Sequence, residues 1–265
     1  SQELVQSVIA PKLTFEVSAT PAIIPSPEEI EHDDAGFVSI KFEDVVEDGL
    51  IKLDTIVNEA FGKYADFKGT ADEAVIEAAV AKREALAKTF RGEKADVNPL
   101  LLIQLPSEAR DTSALDKSKL EETIDILSKQ HGITIENGKL AIWLADRKDN
   151  LDDVGANDSK IEVLIFKQAI ALGWDCPRAH ILVMFRDIQV PTFEIQTVGR
   201  IMRMPEVKHY EADPLNHAYV FTNLDRVTIG TEDNAQGYFR MHRATRKPKY
   251  GAIGLPSTYL SRIDY

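Results

Sequence analysis

The chain has little from which to build a covalent or metal-held framework. Its single cysteine, Cys176, cannot form an internal disulfide, and one thiol is too few for a cysteine-rich zinc site. Six histidines are scattered with no pair at metal-ligand spacing. No apolar run approaches the roughly 18 residues that a membrane span requires, and no secretory signal opens the sequence. These absences predict no membrane partner, no resident metal site and a reducing compartment, the cytoplasm. Positive charge is also scarce, with a net charge of -12. Phosphate contacts need a basic footprint, but the deficit is uneven. Residues 160–265 carry 14 Lys and Arg against 11 Asp and Glu, so the acidity belongs to the first 159 residues. A late basic run, Arg240, His242, Arg243, Arg246, Lys247 and Lys249, suits either a phosphate backbone or a solvated face.

What is present is enough for a packed core: 265 residues, of which 44% are hydrophobic, make one large domain or two modest ones. A short strand, Leu13 to Val17, stops at Ser18-Ala19-Thr20-Pro21, and prolines at 11, 21, 25 and 27 bracket it and break the chain into an extended linker. The acidic cluster Glu31-His32-Asp33-Asp34 reads as a solvated loop. Phe37 to Phe42 alternates as a strand does. Thr70 and Glu73 form a capping box ahead of an Ala-, Glu- and Lys-rich helix with Gly92 just beyond its end; its polar content predicts a helix outside a domain or bridging two.

Leu100 to Leu105 is a continuous apolar run of the kind found in central parallel strands. Ser118 with Glu121 repeats the capping box for a helix that Gly132 ends, and Asn137-Gly138 between apolar runs predicts a hairpin. Asp149 to Ser159 is polar and turn-rich, as a mobile loop is. Beyond it lie IEVLIF, HILVMF, a helix opened by Pro191 and a strand from His217 to Thr222. Strands alternating with helices predict an α/β fold, a doubly wound parallel sheet flanked by helices.

The chemistry concentrates between Ile161 and Met204. A polar knot, Gly173-Trp174-Asp175-Cys176-Pro177-Arg178, separates two apolar strands, and the helix after them carries Gln196, Gly199, Arg200 and Arg203. Arginines three residues apart share one helical face. Their planar, permanently charged forks suit a polyphosphate or a carboxylate. In a doubly wound sheet ligands bind beyond the carboxyl ends of strands, which selects the loop after LLLIQL, the knot, and the entry to the arginine helix. The plainer alternatives are a turn with a packed indole and a surface helix paired with Glu206. Cys176 with His180 as nucleophile and base lacks an orienting third group, so the thiol reads as structural.

Taken in order, Ser18-Ala19-Thr20, the apolar strand at 100–105, Gly173-Trp174-Asp175-x-Pro177 and Gln196-x-x-Gly199-Arg200-x-x-Arg203 resemble motifs III, IV, V and VI of superfamily 2 helicases. Within that superfamily NPLLLIQLP, VLIFKQAIALGWDCPRAHILVMFR and QTVGRIMRMP resemble the Res subunit of type III restriction enzymes. The resemblance runs from Leu13 to about Leu224. It implies a RecA-like, P-loop NTPase-type C-terminal motor domain over 98–226, preceded by the last strand of a first RecA-like domain with its linker (1–27) and a helical connector (28–97), and followed by an extension (227–265). The implied activity is that of an ATP-dependent DNA translocase and restriction endonuclease subunit. Residue by residue, Arg203, Arg200 and Gln196 would act on ATP phosphates. Gly173, Asp175, Gly199, Ser18 and Thr20 would couple the nucleotide to DNA movement, and Lys167, Gln168 and Gln104 would meet the DNA backbone. ATP and Mg2+ are the implied cofactors, held mainly by the first motor domain; double-stranded DNA and a methyltransferase subunit are the implied partners.

Neither a Gly-x-x-x-x-Gly-Lys-Ser/Thr phosphate loop nor an Asp-Glu-x-His magnesium box occurs in these 265 residues. The chain is therefore expected to be inactive toward ATP alone. Asp146-Arg147-Lys148 with Glu136 upstream mimics the spacing of the family's PD-(D/E)xK nuclease, but a hairpin followed by a charged turn explains those residues better. A non-catalytic nucleic-acid or protein-binding α/β module that keeps the motor fold is the alternative from another functional class.

Overall fold

The computed structural model describes residues 40, 42–64, 67–105, 113–167, 174–185, 198–223 and 239–240. Its framework is an eight-stranded sheet. The strands are β1 (Asp54–Val57), β2 (Leu100–Gln104), β3 (Leu140–Trp143), β4 (Lys148–Asp149), β5 (Val163–Phe166), β6 (Ala179–Met184), β7 (His217–Thr222) and β8 (Phe239–Arg240). They lie in the order β4-β3-β5-β2-β6-β7-β1-β8, and every pairing is parallel except β3 with β4. The helices are α1 (Phe42–Glu47), α2 (Ala71–Gly92) and α3 (Ser113–His131). This is the α/β parallel sheet with flanking helices that the strand and helix alternation predicts.

Continuous apolar runs occupy the centre because both faces of a parallel sheet are covered. β2, β5 and β6 are buried at every position. Alternate residues serve alternate faces. Leu101, Ile103, Val163, Ile165, Ile181 and Val183 pack under α2 and α3, against Val75, Ile76, Val80, Leu86, Phe90, Ile126 and Leu127. Leu100, Leu102, Leu164, Phe166, Leu182 and Met184 pack on the opposite face against Val154, Cys176, Val198, Ile201 and Met202. That second face carries the arginine segment.

α2 starts at the expected capping box. Thr70 Oγ1 accepts from the Glu73 amide at 3.1 Å, and Glu73 Oε2 accepts from the Thr70 amide at 2.7 Å. Such a cap stabilises a helix by about 1 kcal/mol. The helix is not peripheral, however. Ten of its residues are buried, four of them alanines that allow close approach to the sheet, and its polar groups lie outward apart from Arg83, which is buried and donates to Pro99 O at 3.1 Å. Gly92 is its last residue and Glu93 its cap.

Several expectations need correction. Residues 28–97 do not form a separate connector over their described part: β1 pairs with β7, and α2 covers the same core as 98–226. The extension likewise reaches the sheet, since β8 pairs with β1. Phe42 opens helix α1 rather than closing a strand. α3 begins at Ser113, so Ser118 lies inside it, while Gly132, at φ +63°, ends it as expected. Asn137-Gly138 is a turn between α3 and β3 and joins no hairpin. Ile133 is drawn into the core, and Asn137 Oδ1 accepts from the amides of Thr134 and Lys139 at 3.1 Å each, a local bonding pattern that competes with strand pairing. The true hairpin is β3–β4.

The 149–159 stretch, expected to be mobile, is pinned. The Asn98 amide donates to Asn157 O and its side chain to Ser159 O, each at 2.7 Å, and Asn157 Nδ2 donates to Pro205 O at 3.1 Å. Leu13 to Val17 and the Pro191-initiated start of the arginine helix fall outside the described residues. Among the described residues no helix is long and apolar enough to cross a membrane.

Candidate functional site

The arginine segment is helical over 198–201, then leaves the helix. The Met202 amide still reaches Val198 O at 3.2 Å, but Arg203 forms an antiparallel bridge with Ile51. Two bonds hold that bridge: Lys52 N to Met202 O at 2.6 Å and Met204 N to Leu50 O at 3.0 Å. Arg200 and Arg203 are thus not consecutive members of one helical face. They converge all the same, on the knot. Arg203 Nη1 meets Asp175 Oδ1 at 2.7 Å with both side chains about half exposed, and Arg200 Nη1 donates to the Trp174 carbonyl. Burial, and then the neighbouring Arg203, lower the pKa of Arg200, against the opposing pull of Asp175.

Trp174 lies edge-on to Trp143 with ring centroids 6.0 Å apart, so the expected packed indole is present and forms the floor under Arg200's contact. Two guanidiniums face one carboxylate. The surface is cationic, half open, and able to exchange the Asp175 contact for a phosphate oxygen, which offers charge-assisted hydrogen bonds of the same kind.

The strand direction sorts the other candidates. The knot precedes β6, so Asp175 and Arg203 stand at the entry ends of the strands and not beyond their carboxyl ends, contrary to the expectation for a doubly wound sheet. Lys167 and Gln104 stand at the opposite, exit ends, just after β5 and at the last residue of β2. Gln104 is fully buried and pairs along the sheet with Phe166 and Met184, yet among the described residues neither atom of its side-chain amide has a hydrogen-bond partner. Leaving such a group unpaired costs about 1–3 kcal/mol. Gly199 is uncrowded: a Cβ there would meet nothing within 4 Å. Ser18, Thr20, Gln168, Gly173 and Gln196 lie outside the described residues.

Cys176 and His180 face opposite sides of the sheet. The thiol packs in the arginine-side core with Sγ 3.6 Å from Val154 O, and the imidazole meets Phe90 of α2 edge-on at 5.2 Å. Burial raises the Cys176 pKa, the reverse of a nucleophile's need. Arg147, in the tight β3–β4 turn, pairs with Asp149 at 2.6 Å, as a charged hairpin turn explains, and Glu136 is fully exposed.

Three buried groups have structural roles that the sequence did not indicate, although Arg178 belongs to the polar knot. Arg178, fully buried, donates to Val154 O at 2.9 Å, Asn98 O at 2.7 Å and Ile161 O at 2.9 Å, so it binds the knot to the entries of β2 and β5. Burial lowers its pKa to about 10. Lys52, also fully buried, reaches the carbonyls behind both arginines. His217 Nδ1 meets Asp54 Oδ1 at 2.6 Å and locks β7 to β1. The one available signal was a cation set inside an apolar run, Leu50-Ile51-Lys52-Leu53.

Part of the chain is similar to a solved ATPase-domain structure. That structure is a crystal structure of the C-terminal part of the Fun30 ATPase domain, at 15% identity and a TM-score of 0.32, covering 62% of this chain. The chain spans 48% of that structure's length. No protein-family model and no curated protein matches the chain.

Proposed function

We propose that the chain is the second motor domain of an ATP-dependent DNA translocase of the type III restriction class, the Res subunit, whose first RecA-like domain holds most of the ATP and Mg2+ site. The observation that carries this reading is the convergence of Arg200 and Arg203 on Trp174-Asp175. Residues 25 or more positions apart, singled out by two separate motifs, meet at one cationic surface.

In this reading Arg203 is the principal finger, with Arg200 and Gln196 assisting. Nucleotide bound in the cleft supplies the phosphoryl group and its developing charge. Arg203 leaves Asp175 and donates to phosphate oxygens as that charge grows, and Arg200, anchored on the Trp174 carbonyl, fixes the approach. Phosphoryl transfer is catalysed mainly by positioning and charge stabilisation, and an arginine finger contributes roughly 10³ to 10⁵ in rate. That corresponds to about 4–7 kcal/mol. Asp175 released from Arg203 is the natural reporter to the DNA side, together with Gly173, Gly199, Ser18 and Thr20. Lys167, at the exit end of β5, contacts the duplex backbone together with Gln168, whereas Gln104 is fully buried and does not reach it; a methyltransferase subunit completes the complex.

The test is Arg203→Ala in the complete protein. ATP turnover is expected to fall at least about 10³-fold with DNA affinity kept; near-normal hydrolysis removes the finger assignment.

A further inference from the structure

Lys52 is a lysine at a place where the chain offers no solvent, since its side chain is fully buried. A buried amine is stable only with acceptors around it. Three backbone carbonyls provide them: Ile201 O at 2.6 Å, Arg203 O at 2.5 Å and Ala179 O at 3.4 Å. The first two belong to the end of the turn that carries Arg200 and Arg203, where helical carbonyls lack intrahelical partners and favour a donor. The third is the first residue of β6, directly after the knot that holds Asp175.

The two backbone bonds of the Ile51–Arg203 bridge already tie 50–52 to 202–204. They fix those two segments to each other, not to β6. The lysine side chain adds that third leg. Without it the carbonyls of Ile201 and Arg203 lose their shared donor, so the turn and the bridge at 201–204 open more readily and are held to the knot by the contacts of Arg200 and Arg203 alone, while the sheet stays intact. Burial lowers the Lys52 pKa well below its ordinary value, against the opposing pull of Cys176, as expected of an amine withdrawn from water.

We infer that Lys52 is a positioning residue for the arginine pair: by clamping the carbonyls of Ile201 and Arg203 to the start of β6, it sets where the guanidiniums of Arg200 and Arg203 stand opposite Asp175. The catalytic consequence rests on the reading of Arg203 as a finger, whereas the positional role does not.

The experiment therefore has two readouts. Amide hydrogen exchange in Lys52→Met is expected to speed at least tenfold at Met202 and Met204 while amides of β2 and β5 stay within twofold. Unchanged exchange at 202 and 204, or an equal acceleration across the sheet, overturns the inference. In the complete protein the same variant is expected to lower kcat ten- to hundredfold, the scale of an ångström-sized misplacement, with the ATP KM moving less than threefold. Adding Arg203→Ala to it is expected to give no loss beyond that of Arg203→Ala alone, because both act through one guanidinium; additive losses overturn the coupling. Should Arg203→Ala hydrolyse ATP normally while Lys52→Met still loosens only 202 and 204, the finger reading falls and the positional inference stands. If Lys52→Met does not fold, Lys52→Gln keeps an amide donor and is expected to loosen the same two amides about threefold, a uniform loosening again counting against the inference.

Discussion

The two ends of the strands are built to opposite rules. At the entry end the backbone is tied down by buried polar side chains: Arg178 on three carbonyls, Lys52 on three more, and His217 against Asp54. Above this scaffold, Arg203 and Asp175 remain half exposed. At the exit end, Gln104 is buried with its amide unpaired among the described residues, and Lys167 stands where β5 stops. A strand of six residues at about 3.3 Å each puts roughly 20 Å between such ends. The contrast teaches that one sheet can hold a half-exposed arginine–carboxylate pair at one end and a buried polar edge at the other while joining them through β5 and β6.

The sharpest way to break that contrast is a crossed pair of substitutions in the complete protein. Arg203→Ala, at the entry end, should remove ATP turnover and spare DNA affinity. Lys167→Ala, at the exit end, should do the reverse: weaker DNA binding, with the slope of log affinity against log salt reduced by about 1, and unchanged basal hydrolysis. Equal effects of both changes on both assays would abolish the division of labour.

A smaller effect tests the scaffold itself. Arg178→Met removes three charge-assisted bonds from the carbonyls of Asn98, Val154 and Ile161, leaving Val154 O only the weak contact of the Cys176 thiol at 3.6 Å. A loss of about 3–5 kcal/mol in urea unfolding is expected, with no change in the unfolding slope. Arg147→Ala, which breaks the exposed pair with Asp149, should cost less than about 1 kcal/mol. Comparable losses would deny the entry end its special rigidity.

The smallest effect is a pH dependence. Burial, and then Lys52, hold the His180 pKa well below the ordinary imidazole value. In the unfolded chain the ring titrates near its free value of about 6.5. Below that pH the unfolded state binds a proton that the folded state refuses, so stability rises with pH up to about 6.5 and is flat above it. His180 alone should remove about 1.4 kcal/mol per pH unit on acidification below 6.5. His180→Phe should flatten that slope by one proton in unfolding curves compared at pH 7.0 and 5.5. An unchanged slope would show that the imidazole is not the group responsible.

Local physics was legible wherever a window of residues decides its own burial. The runs of β2, β5, β6 and β7 announce strands covered on both faces, and Thr70 with Glu73 announces the start of α2. Misreadings came where a local signal met a tertiary competitor. Asn137-Gly138 favours a hairpin turn, but Ile133 gained more by entering the core than by pairing. α2 looks solvent-exposed by composition because its alanines are small, and small residues are what a helix needs to lie close on a sheet.

By itself the sequence determined the α/β class, the central strands and the identity of the arginine and knot residues, since each follows from patterning or charge within a few positions. Only the tertiary structure decided that β1 belongs beside β7, that the knot stands at the entry end, and that Lys52 and Arg178 are buried beneath the arginines. The reason is parallel pairing. It aligns Asp54 with His217 across a long stretch of chain, and the separate antiparallel Ile51–Arg203 bridge brings Lys52 to the carbonyls of Ile201 and Arg203; no local periodicity records which distant carbonyl a buried amine will meet.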